Sequence, residues 1–336
     1  MTYAEIIQNN CERANPSWWP KYAYHYTDVT NAVSILSSGK LYSRVKAGAK
    51  GVMENDNASR QVIDMTETRA TSYVRFYFRP LTPTQYHNEG YKHRQIRYDG
   101  DINANVPVPV FLLFDLEKLL SMEGTKFSAL SQAGHGNPVY SGVDAFASLP
   151  FDSIYSNSYC TDEVRAHRHA EILYPDEFPI DSAIKGIFCR NDCERSTLMN
   201  LLKDSNPTAF YRYKSIIRVA RSDTFERNGL FVESILYHDN TISFIFSETP
   251  EKEKYAKRYA RGELDRMEAS FLFEWKNSKE TLKSLVQTLS ISYWEQPVAF
   301  ARLPHIQGAR TLRVTLKIDG QLICVFEHSL TAFELV

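Results

Sequence analysis

Apolar positions change their spacing several times along this chain, and each change marks an element. In YHYTDVTNAVSILSSGK (24–40) an alternating stretch gives way to Val29, Ala32, Val33 and Leu36 on one helical face. That spacing predicts a strand end followed by a short helix, with Asp28 as N-cap and Gly39 as the left-handed residue that closes it. Residues 44–72 are polar and rich in Gly, Ala and Asn, which predicts a loop with one helical turn. SYVRFYFRP (72–80) alternates with a period of two and stops at Pro80, as a strand would. PVFLLFDLEKLL (109–120) reads as a buried strand running into a helix, and the Gly-rich segment 124–150 as an irregular loop. RHAEILYP (168–175) and AIKGIFC (183–189) predict two more buried strands. CERSTLMNLLKDSN (193–206) predicts a capped helix with Leu198, Leu201 and Leu202 inward.

After residue 221 the pattern turns to hairpins. Residues 230–248 fold back around Asp239-Asn240 and residues 310–327 around Asp319-Gly320, the favoured type I′ pair. Between them the spacing predicts a charged helix near 251–264, a strand at 267–275 and an amphipathic helix at 278–289. The expected architecture is α+β, with a first domain over 1–221 and a β-rich α+β accessory domain over 222–336. A length of 336 residues agrees with two domains of roughly 100–200 residues each.

Composition narrows the function classes. The chain is 43% hydrophobic and 24% charged, which excludes a disordered chain. Its net charge of −1 excludes a polybasic binder but leaves room for a local basic groove. Five cysteines, Cys11, Cys160, Cys189, Cys193 and Cys324, are scattered and odd in number, so no disulfide framework is expected. Cys189 and Cys193 lack a second pair to complete a zinc site, and no metal is expected. No apolar run is long enough to span a membrane and no signal segment is visible, so the cytoplasm is the expected compartment. Dinucleotide-binding, P-loop, zinc-protease and serine-hydrolase motifs are all missing.

Polar residues in apolar strands carry the remaining signal. Glu171 lies in HAEILYP, where an unpaired carboxylate would cost several kcal/mol. It either pairs with a buried arginine or faces a ligand. His25 and Thr27 share one face of their strand, and Asn31 lies one turn into the next helix. Residues 60–97 hold Arg60, Arg69, Arg75, Arg79, Lys92, Arg94 and Arg97 against Asp64, Glu67 and Glu89, an excess of four basic charges. Tyr73, Phe76, Tyr77, Phe78, Tyr86 and Tyr91 are interleaved with them. Guanidinium for phosphate and rings for unstacked bases is the combination that single-stranded nucleic acid requires. Arg75, Arg79, Tyr86 and Arg94 are the candidates for that contact; a solvated strand face is the plainer alternative.

Together YHYTDVTNAVSILSSGKLYSR, SYVRFYFRPLTPTQY, LPFDSIY and RHAEIL resemble, in this order, the DarT family of NAD-dependent ADP-ribosyltransferase toxins that modify single-stranded DNA. The resemblance covers about residues 20–220. It implies an ADP-ribosyltransferase-like fold of split antiparallel sheets with flanking helices. It implies NAD as co-substrate, held by His25, Thr27, Asn31 and Tyr77, with Glu171 as catalytic glutamate. It further implies an essential arginine in the polar loop, for which Arg60 is the best placed candidate and Arg69 the fallback. The family pattern Y-V-P-F-Y-F-x-P-R-S-P-M has Arg75 in place of its first Pro here, Leu81 in place of Arg and Thr84 in place of Met.

Breaking the nicotinamide–ribose bond develops positive charge on the ribose, which a carboxylate such as Glu171 would stabilise. The modified base, and DNA over RNA, stay open, as does a non-catalytic binding module. The second domain would seat an antitoxin or chaperone, gate the site, or extend the nucleic-acid groove.

Overall fold

The computed structural model describes residues 1–52, 68–93, 105–133, 136–158, 161–248, 266–292 and 297–330. Its strands are β1 (Tyr22–Asp28), β2 (Lys40–Tyr42), β3 (Tyr73–Tyr77), β4 (Pro109–Asp115), β5 (Lys126–Ser128), β6 (Glu171–Pro175), β7 (Glu177–Pro179), β8 (Ile184–Cys189) and β9 (Ile217–Val219). The C-terminal half adds β10 (Val232–His238), β11 (Thr241–Phe246), β12 (Met267–Lys276), β13 (Thr281–Ile291), β14 (Val298–Phe300), β15 (Thr311–Ile318) and β16 (Gln321–Ser329). A seven-stranded sheet runs β5-β6-β3-β1-β4-β8-β9, and β2 pairs with β7. Every pairing in the large sheet is antiparallel except β8 with β9.

β4 is apolar from Pro109 to Phe114 because helices and strands cover both of its faces. Phe76, Phe114 and Phe178 meet edge-to-face at its centre, with ring centroids 5.2–5.3 Å apart. Asp28 caps the helix Val29–Ser38 by accepting from the Thr30 N–H at 3.0 Å, and Gly39 ends it at φ 68°. The helix Asp192–Ser205 follows β8 and buries Leu198 and Leu202, while Leu201 is half-buried.

The second half is β-rich. One sheet runs β10-β11-β14 and another β13-β12-β15-β16, and Phe244, Phe271, Phe273 and Phe300 pack between them. Asp239-Asn240 and Asp319-Gly320 form the two hairpin turns with positive φ throughout, as expected for this turn class. The charged helix expected near 251–264 falls outside the described residues.

Two expectations need correction. Residues 278–289 do not form a helix; Thr281–Ile291 is β13, an edge strand bonded along its length to β12. Leu282, Leu285, Val286 and Leu289 fit a helical stripe, but Leu285, Leu289 and Ile291 also alternate. A complete ladder with β12 and the β-branched Thr281, Val286, Thr288 and Ile291 favour the strand. Segment 124–150 is not wholly irregular either. It contributes β5, whose Ser128 pairs with Glu171, and a short helix Val143–Ala147.

The two halves are joined by buried charge. Arg190 is fully buried and bonds Glu89 at 3.2 Å, Glu194, and the Asn228 carbonyl at 3.2 Å, while stacking 3.6 Å over Phe231. Glu89 also accepts from the backbone N–H groups of Glu226 (2.9 Å) and Arg227 (2.7 Å). Further along the seam, Asn200 donates to the Val325 carbonyl and Thr197 Oγ1 accepts from the Val325 N–H. Tyr91 packs with Leu230 in the apolar cluster of the second half.

Candidate active site

β3 and β6 lie side by side with Tyr77 opposite Glu171 and Arg75 opposite Leu173. Side chains two apart on a strand share a face, so Arg75, Tyr77 and Glu171 project together. β5 adds Ser128 opposite Glu171 on the other side.

Glu171 has no exposed surface. Arg75 Nε donates to its Oε2 at 2.8 Å and Nη2 to its Oε1, a bidentate grip. Ser131 Oγ donates to Oε1 at 3.3 Å, and Ser131 is itself held because its Oγ accepts from the Ala133 N–H at 3.1 Å. Burial disfavours the charged form of Arg75, yet the charge and hydrogen bonds of Glu171 outweigh it, and its pKa rises. Burial, and next the Glu171 charge, raise the Tyr77 phenol.

His25 reaches the same strand: its Nδ1 lies 3.0 Å from the Arg75 carbonyl oxygen. A carbonyl can only accept, so Nδ1 carries the proton and Nε2 is the acceptor nitrogen. Burial lowers the pKa of His25 and favours this neutral form. Thr27 is buried two residues further along β1, on the face of His25, and Asn31 is half-buried in the first turn of the helix that follows. The structure therefore places Glu171, Tyr77 and Arg75 in one cluster with His25 tied to it. Thr27 and Asn31 lie one element away.

The expected nucleic-acid contacts fare differently. Arg75 does not face a phosphate; it holds Glu171. Arg79 is buried, with its guanidinium donating to the carbonyls of Pro80 (2.9 Å), Ile154 (3.2 Å) and Ser156 and stacked 4.4 Å from Trp19. Such a group joins the exit of β3 to residues 154–157 and offers nothing to a ligand. Lys92 is likewise buried, donating to the carbonyls of His87 (2.5 Å) and Tyr86 (3.2 Å). Tyr86 keeps 39% of its surface exposed. Arg60, Arg94 and Arg97, and the side chain of Arg69, lie outside the described residues.

One neighbour escaped the sequence reading. His169, two positions before Glu171, has its pKa lowered to about 4 by burial first, then by the charges of Arg75 and His87. Among the described residues no group of three or more His, Cys, Asp or Glu side chains could hold a metal ion. Burial pushes the Cys193 thiol up to about 12, so that thiol is inert. No described helix is long and apolar enough to cross a membrane.

Comparison with known proteins adds a family. The family described as "ssDNA thymidine ADP-ribosyltransferase, DarT" matches residues 24–216. Among solved structures, Thermus sp. 2.9 DarT in complex with ADP-ribosylated ssDNA is 19% identical, with a TM-score of 0.49 over 61% of this chain and 96% of that one. Thermus sp. 2.9 DarT in complex with NAD+ is 19% identical, with a TM-score of 0.45 over 61% and 98%. Thermosipho africanus DarTG in complex with ADP-ribose is 13% identical, with a TM-score of 0.46 over 65% and 53%. No curated protein sequence matches the chain. The matched segment spans β1 to the residue before β9, with Glu171 and its partners inside it, and the chain belongs to the DarT family of single-stranded-DNA thymidine ADP-ribosyltransferases.

Proposed function

We propose that this protein transfers ADP-ribose from NAD to a thymidine base of single-stranded DNA and releases nicotinamide, with Glu171 as its catalytic carboxylate. The observation that carries this reading is the fully buried Glu171, gripped by Arg75 and Ser131, with β3 between it and His25. The guanidinium of Arg75 pairs with the carboxylate and fixes its orientation. A fixed negative charge stabilises the positive charge that develops on the ribose as the bond to nicotinamide breaks and its electron pair leaves with nicotinamide. The base nitrogen then bonds the ribose carbon, and its proton passes to Glu171. His25, Thr27 and Asn31 hold the donor, and Tyr77 packs beside it.

A base must leave its stack to present that nitrogen, which favours a single strand. Tyr86, partly exposed, is the candidate stacking ring on the described surface. RNA gains no support from the family description.

Labelled NAD offered with single- and double-stranded DNA and RNA oligonucleotides tests the reading. Label on thymidine-containing single-stranded DNA is the expected result; label on protein alone would overturn it. Glu171→Gln is expected to lose about 10²–10⁴-fold in transfer rate while melting cooperatively. Growth arrest on expression, absent with Glu171→Gln, is expected of a toxin.

A further inference from the structure

We infer that Arg75 is the positioning residue of Glu171. The inference rests on the proposed role of Glu171 in transfer.

Its first support is register. Arg75 stands two residues from Tyr77, the residue opposite Glu171, so its side chain crosses diagonally on one sheet face. The related pattern has Pro at this position, which carries no guanidinium, and this chain has Arg.

Its second support is acceptor capacity. A carboxylate offers about four lone-pair sites. Arg75 takes one on each oxygen and Ser131 takes the second on Oε1. Oε1 is then filled, and one lone pair of Oε2 remains, open first to a ribose hydroxyl of the donor and then to the proton of the base. A planar fork sets which oxygen that is, and an ammonium group cannot.

Third, the backbone of the same residue serves His25. The Arg75 carbonyl fixes the tautomer and tilt of that imidazole at 3.0 Å. One strand position therefore registers the carboxylate through its side chain and the imidazole through its main chain.

Transfer to a thymidine oligonucleotide is measured for wild type, Arg75→Lys, Arg75→Ala and Glu171→Gln. Arg75→Lys keeps the charge and the fold, and is expected to lower kcat about 10–100-fold by misplacing the carboxylate. KM for NAD is expected to stay within about threefold, since donor binding is left to other residues. Arg75→Ala is expected to lose about 100-fold or more, with roughly tenfold recovered by dilute guanidinium ion, a rescue that a merely structural role would not show. Arg75→Lys with near wild-type kcat, or a folded Arg75→Ala that guanidinium leaves unchanged, would overturn the assignment. Should Arg75→Ala fail to fold, Arg75→Lys decides alone. Absence of transfer by wild type, or transfer surviving Glu171→Gln, would instead overturn the proposed function, and this role with it.

Discussion

His169 sits beside the most demanding residue in the molecule and behaves oppositely. Arg75 pairs with Glu171, whereas burial first and then the same arginine keep His169 neutral, with a pKa of about 4 against an ordinary 6.5. A depressed histidine pKa means that the folded state binds fewer protons than the unfolded chain. Stability from this group is thus present above pH 6.5 and is lost as the pH falls through about 4, on the order of 3 kcal/mol in all. His169→Asn is expected to flatten that fall, read as urea midpoints at pH 7 and pH 5. Glu171 itself was legible in the sequence, because a carboxylate inside HAEILYP demands a partner. Its partner was not. Arg75 occupies an outward step of an alternating strand, and a solvated or phosphate-binding arginine gives the same pattern. Arg79 misled for the related reason that the three methylenes of an arginine stem pack as hydrocarbon while its fork finds carbonyls.

Elements with one clear period were legible and elements with two were not. Val29–Ser38 carries both caps and a single apolar face, and its limits follow from Asp28 and Gly39. β13 satisfies two periods at once, and only the neighbouring β12 decides between them. β5 spans three residues, too short for any periodicity, although it puts Ser128 opposite Glu171. β13 is also a sheet edge, with Leu282, Val286 and Leu289 exposed and Lys283 as its one charge. Edges of this kind invite pairing with other chains unless a charge interrupts them. Val286→Lys is expected to lower light scattering on heating and to leave transfer to oligonucleotide unchanged.

At the scale of the whole molecule, the seam between the halves concentrates buried charge. Removing one member of such a network leaves the rest unpaired, so Arg190→Met should destabilise by about 3–5 kcal/mol, read as a lowered urea midpoint. Glu226 lies at this seam with its carboxyl raised to about 7, by burial first and then by Glu89, from an ordinary 4.5. A raised carboxyl pKa contributes stability that is fully present below pH 4.5 and is lost as the pH rises through about 7. Glu226→Gln, neutral at every pH, is expected to exceed wild type in stability at pH 8 by on the order of 3 kcal/mol. That gap should close by pH 4.5. His169 and Glu226 thus act in opposite directions over a shared acidic range, and single variants are needed to separate them.

Hairpin turns and two apolar clusters could be foreseen from the sequence, but not the joint, because Glu89 and Arg190 each look like surface charge until their partners arrive. Those partners arrive late. Glu89 accepts the amides of residues 137 and 138 positions further along the chain. During synthesis from the N-terminus, the segment that holds Glu171 emerges well before the amides that complete the burial of Glu89. The charge network that buries Glu89 is therefore completed only after residues 226 and 227 have left the ribosome, well after every strand that carries the site residues.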